Sequence, residues 1–202
     1  MTPLYFVYFL LAYLLGSIPS GFLIARVVKG IDIRQHGSQS TGATNVFRTV
    51  GKKWGILVML LDAMKGYLAV MLPKFIPFES TSSHFAAYLG LIAILAHSFP
   101  VWLKFKGGKG VATSLGVFLG LAFIPTMITF ALFWLVFAIS RILSLASLSA
   151  AAAFPLVILL IYRKDESFIW LFPISLLLMI FIFFTHRANI GRLLRGEENK
   201  LI

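Results

Sequence analysis

The chain has 202 residues, 59% of them hydrophobic and 12% charged, with mean hydropathy +0.93. A soluble domain carries about 45–50% apolar and about 25% charged residues, so this composition excludes an ordinary soluble domain. Its charge is lopsided, 18 Lys and Arg against 7 Asp and Glu; in so apolar a chain that excess reads as the cytoplasmic loops of a polytopic membrane protein, with no nucleic-acid partner.

Charge-free runs mark the predicted spans in chain order: residues 1–25, 80–103, 110–140, 142–162 and 167–185, with a further run, 54–73, interrupted by Asp62 and Lys65. A helix needs about 20 apolar residues to cross a ~30 Å hydrocarbon layer. The first run lacks a basic residue before Arg26 and a small-residue cleavage site, so it reads as a span and not as a cleaved signal. In the interrupted run, Asp62 and Lys65 stand three apart on one helix face, where an ion pair facing the protein interior is favoured over a proton or ion path. His97 reads as an interfacial histidine near the cytoplasmic end of its helix.

The run 110–140 is ambiguous between one tilted helix and two short ones that meet around Pro125, which lacks the N–H to continue a helix. Two crossings put residues 26–53, 104–109 and the tail after Phe184 on one side, together with Arg141. That arrangement leaves only Lys65, Lys74, Arg163 and Lys164 away from the cytoplasmic side and obeys the positive-inside rule. The expectation is therefore an all-α membrane protein of seven helices, two of them short, in one domain over residues 1–202, with the N-terminus outside and the C-terminus cytoplasmic. Gly116 and Gly120 form a GxxxG pair suited to close helix packing.

Three cytoplasmic stretches carry the polar chemistry. The first runs His36-Gly-Ser38-Gln-Ser-Thr-Gly-Ala-Thr-Asn45-Val-Phe-Arg48, dense in glycine and hydroxyls; such a loop can turn backbone amides toward an anion, and an Arg fork matches phosphate oxygens. It reads equally as a flexible polar loop. The second, Phe105-Lys-Gly107-Gly108-Lys109-Gly110-Val-Ala-Thr-Ser114, enters an apolar helix whose N-terminus suits a phosphate. It is not a nucleotide P-loop, because Leu103 stands where the first Gly is needed and Gly110 where Ser or Thr is needed. The third, His186-Arg-Ala-Asn189-Ile-Gly-Arg192-Leu193-Leu-Arg195-Gly-Glu-Glu198, places residues 186, 189 and 193 on one face if the helix continues. A basic amphipathic tail on anionic lipid is the other reading of that stretch. A fourth element, Arg141-Ile-Leu-Ser144-Leu-Ala-Ser147, lies on the same side in the seven-helix count, where its serines either add phosphate donors or cap and pack a helix. With no cysteine, disulfides, thiolate nucleophiles and thiolate metal sites are excluded.

Together these stretches resemble the bacterial acyl-phosphate:glycerol-3-phosphate acyltransferases, the PlsY family. The family's first motif, Gly-Ser-Gly-Asn-x-Gly-Ala-Thr-Asn followed by Arg, stands here as residues 37–45 and Arg48, with Gln39 and Ser40 in place of the usual Gly and Asn. The second motif matches over residues 105–113 with His97 and Pro100 upstream, and the third matches at His186, Arg187, Asn189, Ile190, Arg192, Leu193 and beyond to Glu197. Asp62-x-x-Lys65-Gly66 and Ser144-x-x-Ser147 fit as well.

The resemblance implies a bacterial inner-membrane enzyme, working from the cytoplasmic side, that moves a fatty acyl group from acyl phosphate to glycerol 3-phosphate. It implies no cofactor and no metal. It implies catalytic positions at Ser38, Arg48, Lys109, His186 and Asn189, and substrate contacts at Ser38, Asn45, Arg48, Gly107, Gly108, Lys109, Gly110, Ser147, His186 and Asn189. The partners so implied are the two substrates and membrane lipid, and a soluble enzyme that makes acyl phosphate remains a candidate. By chemistry, Arg48 and Lys109 would clamp phosphate oxygens while the amides of residues 107–110 face developing negative charge. The His-x4-Asp pattern of soluble-type glycerol phosphate acyltransferases is absent, since Thr41, Leu89, Trp102 and Gly191 stand five after the four histidines. An organophosphate transporter is the competing class; it needs polar residues through the bilayer, and the predicted spans hold only Asp62 and Lys65 as charges.

Overall fold

The computed structural model describes residues 3–76 and 83–201; the ends of two predicted runs, residues 1–2 and 80–82, fall outside the described residues. Every regular element among the described residues is helical. Contacts divide the chain into two compact units, Met1–Leu121 and Ala122–Ile202.

The first unit opens with α1 (Pro3–Ser17) and α2 (Ser20–Lys29), so the first predicted span is broken at Ile18-Pro19, where proline withholds the N–H of a continuing helix. A left-handed Gly30 ends α2, and a 3₁₀ turn (Ile33–Gln35) leads to the short α3 (Ala43–Thr49). The long α4 (Lys52–Phe75) follows, then α5 (Ser83–Ser98), a 3₁₀ turn (Val101–Leu103) and α6 (Val111–Leu121). Helix α4 is the hub, packed by α6, α3, α5 and α1.

Close approach in this unit is made through missing side chains. A Cβ on Gly116 would collide with the Ala63 carbonyl of α4, and one on Gly66 with the Thr113 carbonyl of α6. Lipid offers no hydrophobic drive between helices, so shape fit of this kind carries the packing. Gly116 thus does what the GxxxG spacing predicts, while Gly120 faces the side chains of Val70, Met71 and Tyr67.

The second unit is a helical hairpin, α7 (Phe123–Ser140) and α8 (Leu143–Tyr162), turned by Arg141 in the left-handed conformation (φ 61°). Helix α9 (Phe168–Thr185) packs on α8, and α10 (Arg187–Leu194) follows directly. Leu160, Ile169 and Ile139 are 73%, 81% and 78% exposed, apolar surface that fits contact with lipid tails.

Among the described residues, six stretches are long and apolar enough to cross a membrane, and α6 is a shorter apolar helix of 11 residues, about 16 Å long. The run 110–140 therefore divides as expected, but not at Pro125 and not into two equal short helices. The break falls at Ala122, and Pro125 is the third residue of the 18-residue α7, where its missing N–H costs no intrahelical bond.

Candidate active site

In the first loop, Asn45 organises the backbone. Buried at 1% exposure, its amide nitrogen donates to the carbonyls of Ile33 (3.2 Å), His36 (2.9 Å) and Ser40 (2.9 Å). Its oxygen accepts from the Ser38 N–H at 3.0 Å and the Thr49 hydroxyl at 3.4 Å. The side chain expected to touch substrate is thus bonded inside the loop, where it ties together the backbone of residues 33–40. Ser38 is exposed at the tip, and Arg48 is exposed on α3. Gln39 keeps a left-handed backbone (φ 59°) at the position where the family motif has glycine. Asp32 caps the 3₁₀ turn and is held by Arg34, whose hydrogen bonds keep its carboxyl below the usual carboxylate range.

The second loop is folded back onto the end of α5. The Gly107 N–H donates to the Ser98 carbonyl (3.0 Å) and the Gly108 N–H to the His97 carbonyl (3.2 Å). Those two amides were expected to face a phosphate; the structure uses them to close the turn, leaving the backbone from Lys109 onward to open α6. The motif glycines are required sterically instead: a Cβ on Gly107 would strike the His97 carbonyl and Pro100, and one on Gly108 the His97 ring. Lys109 and the buried Gly110 stand at the N-terminus of α6, where the first-turn amides have no helical acceptor. The hydroxyls of Thr113 and Ser114 in that first turn, and of Ser98 at the end of α5, are buried without a hydrogen-bond partner. These three were missed from sequence, where small hydroxyl residues beside an apolar helix carry no distinguishing signal.

Asp62 and Lys65 form the predicted ion pair, 2.9 Å apart with side chains 2% and 5% exposed. His97, expected at an interface, is buried and brings Nδ1 to 3.6 Å from the same Asp62 oxygen.

In the second unit, His186 ends α9 and begins α10. Its Nδ1 lies 2.8 Å from the Ile182 carbonyl, which can only accept, so Nδ1 carries the proton and Nε2 is the basic nitrogen of the neutral ring. Asn189, one turn on, donates to Glu198 Oε1 (2.5 Å), which also accepts from the Ser144 hydroxyl (2.7 Å); Arg192 Nε meets Oε2 at 2.6 Å. Burial raises the Glu198 carboxyl, but the bonds from Arg192, Ser144 and Asn189 outweigh it and hold it below its ordinary value. Left-handed Gly196 turns the tail back to make this possible, with the Glu197 N–H on the Arg192 carbonyl (2.8 Å). Ser147 donates to the Leu143 carbonyl of its own helix at 2.9 Å. The unit thus joins Ser144, Asn189 and Arg192 through Glu198, a residue the sequence reading did not single out; the Gly two before it was the available sign of a returning chain.

Comparison with known proteins fits this arrangement. A family model described as glycerol-3-phosphate acyltransferase matches residues 6–196. The chain belongs to the glycerol-3-phosphate acyltransferase family. It is a membrane acyltransferase, similar to a glycerol-3-phosphate acyltransferase of Prochlorococcus marinus (strain NATL1A), 44% identical over 94% of each chain, and to one of Fusobacterium nucleatum, 43% identical over 97% of each. Two crystal structures of PlsY, an integral membrane glycerol 3-phosphate acyltransferase, share 36% identity over 97% of this chain and 94% of theirs. The glycerol 3-phosphate form superposes with a TM-score of 0.85 and the lysophosphatidic acid form with 0.83.

Proposed function

We propose that this acyltransferase moves a fatty acyl group from acyl phosphate to a hydroxyl of glycerol 3-phosphate, giving lysophosphatidic acid and inorganic phosphate. The observation that carries the reading is the fold-wide similarity to an acyltransferase whose solved forms are described by glycerol 3-phosphate and lysophosphatidic acid. The residue chemistry supports it: both substrates present phosphate, and Arg48, Lys109 and the N-terminus of α6 are groups that bind phosphate oxygens.

In this reading Arg48 and Lys109 clamp the donor phosphate, and Ser38, Ser147, His186 and Asn189 orient the acceptor. The acceptor oxygen attacks the acyl carbon, the bond from that carbon to the phosphate oxygen breaks, and phosphate leaves carrying the electron pair. An acyl phosphate is a mixed anhydride with a good leaving group, so positioning and charge stabilisation are the main demands. The hydroxyl proton goes either to His186 Nε2 or to the departing phosphate. A His186→Gln variant that binds acceptor normally and keeps most of its turnover would leave the phosphate as the base.

The whole chain acts as one polytopic domain in the bacterial inner membrane, with seven crossings including the short α6 and the substrate side toward the cytoplasm. The charge distribution supports this, since Arg26–Lys53, Lys104–Lys109 and the tail then share one side. The donor comes from a soluble enzyme that makes acyl phosphate. Purified protein is expected to release phosphate from acyl phosphate only when glycerol 3-phosphate is present, and Lys109→Ala to abolish it. Absence of turnover with either acyl phosphate or acyl-CoA would overturn the reading.

A further inference from the structure

Three interruptions of the membrane helices meet one turn of α4. Lys65 Nζ, besides its pairing with Asp62, donates at 2.8 Å to the carbonyl of Ile18, in the break between α1 and α2. The end of α5 brings His97 Nδ1 to 3.6 Å from Asp62 Oδ1. The start of α6 lays the Thr113 carbonyl against the bare face of Gly66. The loop between α5 and α6, which holds Lys109, is therefore mounted at both ends on residues 62–66.

Stability alone is a poor account of such a mount. A buried ion pair pays heavily for desolvation and is often matched by an apolar pair of the same size, and in a membrane span ionisable residues are costly. The loop it supports, in contrast, is held in a conformation that needs support. Lys104 and Phe105 are consecutive left-handed residues without glycine's freedom, φ 53° and 61°, a conformation that side chains with a Cβ adopt only under support from their surroundings. The Phe105 N–H reaches back to the Pro100 carbonyl at 3.0 Å, and the Gly107 and Gly108 amides to Ser98 and His97. The His97 ring completes the stack, with the Asp62 carboxylate at one nitrogen and the Gly108 backbone at the other.

We propose that Asp62, Lys65 and His97 are positioning residues for the acyl transfer: through the His97 ring they fix the turn at Gly107 and Gly108, and so the placement of Lys109 at the head of α6. The pair serves the chemistry by geometry and conducts neither protons nor ions. This rests on the reading of Lys109 as the donor-phosphate group.

The test uses the purified full chain with two substitutions, Asp62→Asn and His97→Gln, and four readouts: kcat, KM for glycerol 3-phosphate, thermal midpoint and amide hydrogen exchange. A misplacement of about 1 Å at a reacting group costs about 10²-fold. Asp62→Asn is accordingly expected to lower kcat by about 10²-fold and His97→Gln by about tenfold, with KM for glycerol 3-phosphate within about twofold. Peptides covering residues 104–110 should exchange faster in both variants, while those from residues 123–185 keep their rates. Unchanged exchange at 104–110 would overturn the proposal, as would an equal acceleration along the whole chain with a fallen thermal midpoint. If Asp62→Asn does not fold, His97→Gln decides alone, because it leaves the Asp62–Lys65 pair intact. A wild type that does not turn over acyl phosphate would remove the donor reading, and the exchange at 104–110 would still decide whether these residues fix the loop.

Discussion

The two units hold their polar residues by opposite means. In residues 1–121 the anchor is a buried ion pair within one turn of α4, and the glycine loop is folded down onto it from either end. In residues 122–202 the anchor is Glu198, on a chain end that turns back after Gly196 and ties Ser144, Asn189 and Arg192 together. The first device is dry and sits among helices that cannot separate without exposing charge to lipid. The second lies on the chain end, where the Arg192 side chain is 36% exposed and the Glu198 side chain 7%, so solvent reaches the cation more than the carboxylate.

The largest test of that contrast removes one partner of the dry pair. Lys65→Met leaves the Asp62 carboxylate buried and unpaired, which costs about 3–5 kcal/mol; a steep fall in thermal midpoint in detergent is expected. The double variant Asp62→Asn/Lys65→Met should regain most of that loss, since it removes the stranded charge.

Glu198→Gln, in contrast, should destabilise moderately, by about 1–2 kcal/mol, because hydrogen bonds survive where charge is lost. The sign with pH follows from its lowered carboxyl: the contribution is present above the ordinary carboxylate range and disappears as pH falls through the depressed folded value. Wild type and Glu198→Gln should therefore converge in stability only once the pH has fallen below that depressed folded value. A difference that persisted there would mean that Glu198 acts by packing alone.

The smallest effect concerns Gln39. A left-handed non-glycine residue costs about 1–2 kcal/mol, and glycine returns about 0.5–1 kcal/mol of that through its entropy in the unfolded chain. Gln39→Gly should therefore stabilise by about 0.5 kcal/mol, with no change in the loop's bonds through Asn45. Equal stability of the two forms would show that the Gln39 side chain compensates its own backbone.

Particular residues show how far the sequence could be read. The pairing of Asp62 with Lys65 was legible because both lie on one helix three residues apart. The third member, His97, was not, because α5 meets that turn only after the chain has crossed back. The glycines at 107 and 108 announced a tight turn but not its purpose; two amides expected at an anion are bonded to carbonyls of residues 97 and 98. Asn45 was legible as a key residue of its loop, and the structure adds the bonds by which it holds that loop's backbone. Glu198 was not singled out, because Gly196 signals a returning chain but not which side chains the return brings together.

By itself the sequence determined the all-helical membrane fold, the polar loops and the family. The physical reason is that in lipid each helix must satisfy its own backbone, so apolar length and charge placement are local properties. Tertiary structure alone decided where the run 110–140 breaks and which groups share an anchor. Those outcomes depend on close approach at Gly66, Gly108 and Gly116 and on the return of the chain end, contacts between residues far apart in sequence that no local pattern encodes.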